Sequence, residues 1–392
     1  MTDPALAPLE RAQAIIEDRK LSTVARWKEA HPGGLAIGHM PIYAPRPLLE
    51  AIGCLPVGVF GGGDAIDIIR GDSYFQSYIC HIPRSTVELA LSGDLDVLDG
   101  VLFPSICDVI RNLGGMWRML FPDTYATYVD LPQNFEADIG GKFYVLEMTR
   151  IARELQARGA KALDPAALRE AIVRENERRA AIADLDALRR KEPWRVKASE
   201  AYTIVRVGAV LETAEHTRVV REFLAAAKER AARPIDNVRV VLVGSFCEQP
   251  PFELIRALEK SGCDIVDDDF QLGMRMIDGP IEIADGEDPL VALSRAYLEK
   301  GQDTASRYIG DLVKGAALLR RVKECQAEGV IFAAASFCDP ALLDQPMVEA
   351  AMTKAGVPHT SFKFAENMGQ FSVIREQAGA FSDAVKLWGA AS

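Results

Sequence analysis

Three segments of this chain carry a hydrophobic run into a serine, one further residue and a cysteine, and an acid follows each cysteine. They are FPSICDVI (103–110), VGSFCEQP (243–250) and AASFCDP (334–340). Thiols are soft, deprotonatable donors, so Cys107, Cys247 and Cys338 offer metal ligation or nucleophilic chemistry, with buried packing as the plainer alternative. They lie too far apart in sequence to form a knuckle of closely spaced ligands. A fourth thiol, Cys80, stands in QSYICHIPRS (76–85) beside His81. Neighbours on an extended segment point in opposite directions, so His81 is a poor base for activating Cys80.

Zinc finds little support, because the chain holds five histidines in total and His31, His39, His216 and His359 are scattered as surface or packing residues. An iron-sulfur cluster can gather thiolates from separate loops, although the close cysteine spacing of ferredoxins is absent. Cys54, Cys263 and Cys325 fall within or beside predicted elements and read as small buried thiols. The glycine-rich GVFGGGD (58–64) fits neither GxGxxG nor a P-loop and reads as a tight turn with positive φ.

The elements that must position these thiols alternate. Apolar, β-branched runs at LAIGHMPIY (35–43), LPVGVF (55–60), DGVLFPS (99–105) and YATYVDLP (125–132) are separated by helical patterns. The same rhythm returns in VRVVLVGSF (238–246), CDIVDDDF (263–270), GVIFAAASF (329–337) and PHTSFKFAE (358–366). Runs buried on both faces mark parallel strands covered by helices. The expected fold is therefore α/β, with two Rossmann-like parallel-sheet lobes: residues 1–150 and 233–392, joined by a helical connector over 151–232. The connector's main helix opens at Asp164-Pro165, runs through Leu168, Ile172, Leu185 and Leu188, and must stop before Pro193. Its many Glu and Arg residues are expected on a solvated outer face, with no chemistry assigned. In this arrangement the Ser-x-Cys segments lie at the carboxyl ends of strands, where open α/β sheets place ligands, and two facing lobes would enclose a cleft between those edges.

Composition narrows the function further. A 392-residue chain with 49% hydrophobic residues has ample core for more than one domain. A net charge of -11 and the lack of a basic stripe argue against nucleic acid. No apolar run approaches a membrane span, and MTDPALAPLERAQ lacks the pattern of a secretory leader, so a cytoplasmic chain is expected. Seven scattered cysteines speak against a disulfide framework.

Longer motifs add a resemblance. GDSYFQSYICHIPRSTVELAL, LDGVLFPSICDVIRNLGGMW, GSFCEQPP, SGCDIVDDD, GVIFAAASFCDPALL, SFKFAENMGQ and IREQAGAF resemble the C-type subunits of ATP-dependent (class I) benzoyl-CoA reductases. The wider family is that of the 2-hydroxyacyl-CoA dehydratase D-components, and the similarity covers essentially the whole chain. It implies a 4Fe-4S cluster held by Cys80, Cys107 and Cys338, with Cys247 as an additional ligand or a residue lining the cleft. It also implies a related catalytic partner of the B type and a separate ATP-hydrolysing pair of subunits, fed by a low-potential ferredoxin, with no ATP bound by this chain. The implied reaction is reduction of benzoyl-CoA to a cyclohexadiene-1-carbonyl-CoA. Two alternatives stand beside it: a 2-hydroxyacyl-CoA dehydratase component, and a two-lobed small-molecule-binding protein without redox chemistry. No catalytic proton donor is assigned. His81, Asp108, Glu248 and Asp339 adjoin the cysteine motifs but equally suit helix caps, and Arg84 and Arg111 suit either CoA phosphates or local structure.

Overall fold

The computed structural model describes residues 3–63, 66–244, 250–270, 272–307, 313–365 and 371–389. Helices α1 (Leu6–Glu17) and α2 (Ser22–Ala30) precede β1 (Leu35–His39). Then α3 (Arg46–Ala51) leads to β2 (Cys54–Gly58), α4 (His81–Leu91) to β3 (Gly100–Pro104), and α5 (Asp108–Leu120) to β4 (Tyr125–Val129). The four strands form one parallel sheet in the order β2-β1-β3-β4. All eight sequence-predicted strands begin within one residue of their hydrophobic runs and end one to four residues before the runs do, because strands buried on both faces carry a local, continuous apolar signature.

After α6 (Lys142–Gln156), α7 (Pro165–Lys191), α8 (Ala198–Arg206) and α9 (Thr213–Lys228), the chain builds a second sheet from β5 (Val238–Val243), β6 (Cys263–Asp268), β7 (Gly329–Ala335) and β8 (His359–Phe364). Its order, β6-β5-β7-β8, is again parallel and repeats the topology of the first. Helices α10 (Phe252–Glu259), α11 (Leu272–Arg275), α12 (Pro289–Lys300), α13 (Ala316–Glu324), α14 (Asp339–Lys354) and α15 (Phe371–Gly389) accompany it.

The correspondence between sheets reaches single residues. Cys54 and Cys263 each begin the second strand of their sheet, opposite Leu35 and Val238, the first residues of β1 and β5. Each follows a glycine in the left-handed region, Gly53 at φ +78 and Gly262 at φ +85, which lets the chain turn straight into the strand. Both thiols are buried, as is Cys325. The described part of the GVFGGGD segment, residues 58–63, has positive φ at Gly61 and Gly63, and Ser85 Oγ accepts the Gly62 amide; Asp64 lies outside the described residues.

The connector corrects one expectation. Helix α7 begins where predicted, with the Asp164 side chain accepting the Ala166 amide, and Leu168, Ile172 and Leu185 are buried. Yet Glu175, Arg178, Asp186 and Arg189 are buried as well, and not solvated. The reason is tertiary: α7 packs against α3, α9 and β6, so these charged positions face protein while Arg169, Glu170 and Glu177 keep the expected exposed face. Its buried charges are matched. Arg178 donates to Glu175, Arg189 to Asp268 at the end of β6, and Arg275 holds Asp186 through two bonds of 3.0 Å. A continuous set of buried side chains runs from Ile37 and Leu102 in the first sheet through Tyr144 and Ile172 to Val240 and Ile331 in the second. Tyr43, in the loop after β1, fastens the halves together through its hydroxyl, 2.6 Å from Thr304 Oγ1 and 2.9 Å from Ser306 Oγ. No helix among the described residues is long and apolar enough to cross a membrane.

Candidate functional site

The two described Ser-x-Cys segments occupy equivalent places in the two sheets. Ser105 follows β3 and donates its amide to Val129 O at 2.9 Å, extending the pairing with β4 by one step. Ser336 follows β7 and does the same to Phe364 O of β8 at 2.7 Å. Each serine thus ends the third strand of its sheet, and each cysteine two residues on becomes the N-cap of the next helix: Cys107 for α5, Cys338 for α14. Ser105 Oγ also accepts the Leu131 amide at 3.1 Å, which fastens the loop from the side. In the second copy, Phe337 takes a left-handed φ of +66 between serine and cysteine and is half exposed. The third motif directly follows β5, but Cys247 and Glu248 lie outside the described residues.

Cys80 shares the position without sharing the turn. It is the N-cap of α4, half-buried, with His81 at the first helical position and Ile82 and Pro83 buried behind it. All three cysteines therefore sit at the amino end of a helix, where the first amides and the positive end of the dipole lie. At Cys107 the arrangement is explicit. Burial pushes the thiol up to about 11; amides of Ile110 and Val109 bonded to sulfur pull the other way, and the Cys338 thiol and the Asp108 carboxylate add to the rise. The influence of Cys338 on Cys107 brings the two switch-point loops, one from each sheet, into electrostatic range. Cys80 is not drawn into a ready-made set with them: among the described residues no three or more His, Cys, Asp or Glu side chains form a group able to hold a metal ion.

The neighbouring polar residues divide by role. Asp108 and Asp339 are exposed at the first positions of α5 and α14. Arg84 is bound to Asp72 at 2.7 Å, and Arg111 lies over the Tyr128 ring at 5.6 Å from its centre, so both have local partners.

A second feature was not read from sequence. A cavity of about 1120 Å³ opens at the carboxyl ends of β5 and β6, walled by Asp267, Asp268, Arg190, Arg275, Arg321 and Lys314 among others. Burial works against the charge on Asp267, yet Arg321 and Arg190 hold its carboxyl well below the usual range, with contacts of 2.6 and 2.9 Å. Among the described residues that line this cavity, none is Cys80, Cys107 or Cys338. The signal available in sequence was the acid run Asp267–Asp269 closing an otherwise apolar strand, which a solvated end would explain equally well.

Comparison with known proteins follows the same geometry. The family model of the 2-hydroxyglutaryl-CoA dehydratase D-component matches residues 41–385, which take in all three cysteine N-caps and every strand described above except β1. The chain belongs to that family. Within it, the chain is 46% identical to the C subunit of benzoyl-CoA reductase from Thauera aromatica, over 97% of this chain and 98% of that protein. It is 26% identical to the beta subunit of (R)-phenyllactyl-CoA dehydratase from Clostridium sporogenes and 27% to the beta subunit of lactoyl-CoA dehydratase from Anaerotignum propionicum, each over 90% of this chain and 92% of the relative. These relatives are components of multi-subunit acyl-CoA enzymes, and the α/β architecture expected from the hydrophobic runs is the one found.

Proposed function

We propose that this chain is the C-type catalytic subunit of a benzoyl-CoA reductase, acting with a related B-type partner and a separate ATP-hydrolysing pair fed by a low-potential ferredoxin. The observation that carries the reading is the contrast in identity, 46% to the reductase component against 26–27% to the dehydratase components over nearly the same length. The reaction adds two electrons and two protons to the ring of benzoyl-CoA and yields a cyclohexadiene-1-carbonyl-CoA. A thioester carbonyl assists by spreading added charge onto its oxygen.

In this reading Cys80, Cys107 and Cys338 hold a 4Fe-4S cluster in a cleft between lobes of residues 1–150 and 233–392, with 151–232 as the helical connector and Cys247 as an additional ligand or cleft residue. What supports the reading is donor chemistry: three soft thiols at helix N-caps, two of them within electrostatic range of each other. Bound there, the cluster would supply single electrons at low potential. The chain's own contribution is to present sulfur from rigid helix ends, to stabilise its anionic form with the Val109 and Ile110 amides, and to hold the loops in register through Ser105 and Ser336. The absence of a P-loop pattern in the sequence suits a component that leaves ATP to its partners, and the acidic charge balance suits the cytoplasm.

The test is iron and acid-labile sulfide on anaerobically purified protein co-expressed with its partner, followed by ring reduction with the ATP-driven donor. About four of each per chain is expected, with loss on changing Cys80, Cys107 or Cys338 to Ala. Full iron in all three variants would remove the ligand assignment. The family's dehydratase members favour a second reading, elimination of water from a 2-hydroxyacyl-CoA; turnover of such a substrate without benzoyl-CoA reduction would replace the first.

A further inference from the structure

Where the two halves of the chain meet, a cavity of about 40 Å³ lies between Arg46 at the start of α3, Tyr144 of α6, Glu175 and Arg179 of α7, and Tyr297 of α12. Its walls are buried: Arg46 is 3% exposed, and Tyr144 and Tyr297 are 4% exposed each. Since ~10–15 Å³ of such space takes one water, the cavity has room for a small ion and a water or two, and far too little for a nucleotide or an acyl-CoA.

Arg46 is a cation that the fold buries without a contacting carboxylate. It donates to Pro56 O and Gly208 O at 3.3 Å and to Leu211 O at 3.5 Å, and its Nε is buried with no hydrogen-bond partner among the described residues. Glu50 and Glu175 act on it across space alone, because Glu50 accepts from Thr213 and both Glu175 oxygens accept from Arg178. Arg179 adds a further guanidinium to the same wall, donating to Gly279 O at 3.1 and 2.8 Å with Glu175 4.0 Å away. Arg46, Arg178 and Arg179 therefore share Glu175 as their close acid, and burial raises Glu50, which weakens its help. A buried cation left in that state is costly. Water answers it with a dipole, an anion with a full charge. The hydroxyls of Tyr144 and Tyr297 make no hydrogen bond among the described residues, and burial pushes both phenols up, so they stay protonated as donors at the cavity wall.

We propose that this cavity binds one monatomic anion of the chloride type, held by the Arg46 guanidinium and the Tyr144 and Tyr297 hydroxyls, and that the ion fastens the two halves of the chain through the connector helix. No cysteine lines the cavity, so the site stands apart from the proposed cluster ligands.

The test uses the chain co-expressed with its partner. Crystals soaked in sodium bromide, with data recorded on either side of the bromine absorption edge, are expected to show an anomalous peak inside the cavity. In solution, replacing chloride by gluconate at constant ionic strength should lower the unfolding temperature, and bromide should restore it. The double variant Tyr144→Phe/Tyr297→Phe keeps both rings and removes both donors, so it should need about ten times more chloride for the same gain, the loss expected from hydrogen bonds to a charged partner. A cavity filled by water alone, with no bromide peak, overturns the proposal. So does a halide dependence that is equal in the parent and the double variant, because the stabilising ion then binds elsewhere.

Discussion

Acidification from pH 7.5 to pH 5 is expected to remove on the order of 4 kcal/mol of stability through two histidines alone. His39, at the end of β1, uses Nδ1–H to donate to Met40 O at 2.8 Å, while its Nε2 is buried with no hydrogen-bond partner among the described residues. His216, in α9, donates from Nε2 to Ile204 O at 2.9 Å, and its Nδ1 is buried with no hydrogen-bond partner among the described residues. Burial first, then the Arg46 guanidinium for His39 and Arg178 for His216, push both rings down to about 3. An unfolded histidine titrates near 6.5, so between the two values the unfolded chain binds the proton and the folded one refuses it. The stabilisation is complete above pH 6.5 and is lost as the pH falls towards 3. At pH 5 each ring has forfeited roughly 2 kcal/mol, a sum that matters against a net stability of about 5–15 kcal/mol. Burial pushes Glu50 and Glu259 up, and they bend the curve the opposite way, so the diagnostic quantity is the difference between variants. Urea unfolding from pH 5 to pH 8 should show the parent losing stability about one proton more steeply than His216→Gln, which can still donate to Ile204 O. Equal slopes in parent and variant would refute the argument that His216 is kept neutral by burial.

Three further outcomes follow from packing. Arg189→Met removes the close partner of the buried Asp268, leaving it Arg275 at 3.8 Å and the Phe270 amide at 2.8 Å, and should cost roughly 3 kcal/mol, the lower end for breaking a buried pair, read as a shift in the urea midpoint. Gly208→Ala places a methyl 2.1 Å from His216 Nδ1 and should destabilise by about 1–3 kcal/mol in the same assay, unlike Gly115→Ala, where nothing lies within 4 Å. Tyr43→Phe removes the hydroxyl shared with Thr304 and Ser306 and should cost about 1–3 kcal/mol, with faster amide exchange over residues 301–307; unchanged exchange there would show that the hydroxyl does not fasten the halves.

Local patterning decided much of this protein in advance. Strands such as Gly329–Ala335 are buried at every position, and a run of that kind announces itself in sequence because each residue is apolar for the same reason. The cap at Asp164, the buried thiols Cys54, Cys263 and Cys325, and the placing of Cys107 and Cys338 after strands were legible on the same ground: each depends on neighbours a few residues away. What the tertiary structure alone decided concerns charge and pairing over long separations. Arg189 is an exposed-looking residue in a charged helix until it meets Asp268, 79 residues on, and nothing in the local pattern of α7 tells the two faces apart. The equivalence of the Ser105 and Ser336 turns likewise emerges only when the sheets are laid down, since it rests on each serine finding the carbonyl at the end of a neighbouring strand. Hydrophobic burial follows residue type and so is written locally, whereas the worth of a charge or a thiol depends on what the fold brings opposite it.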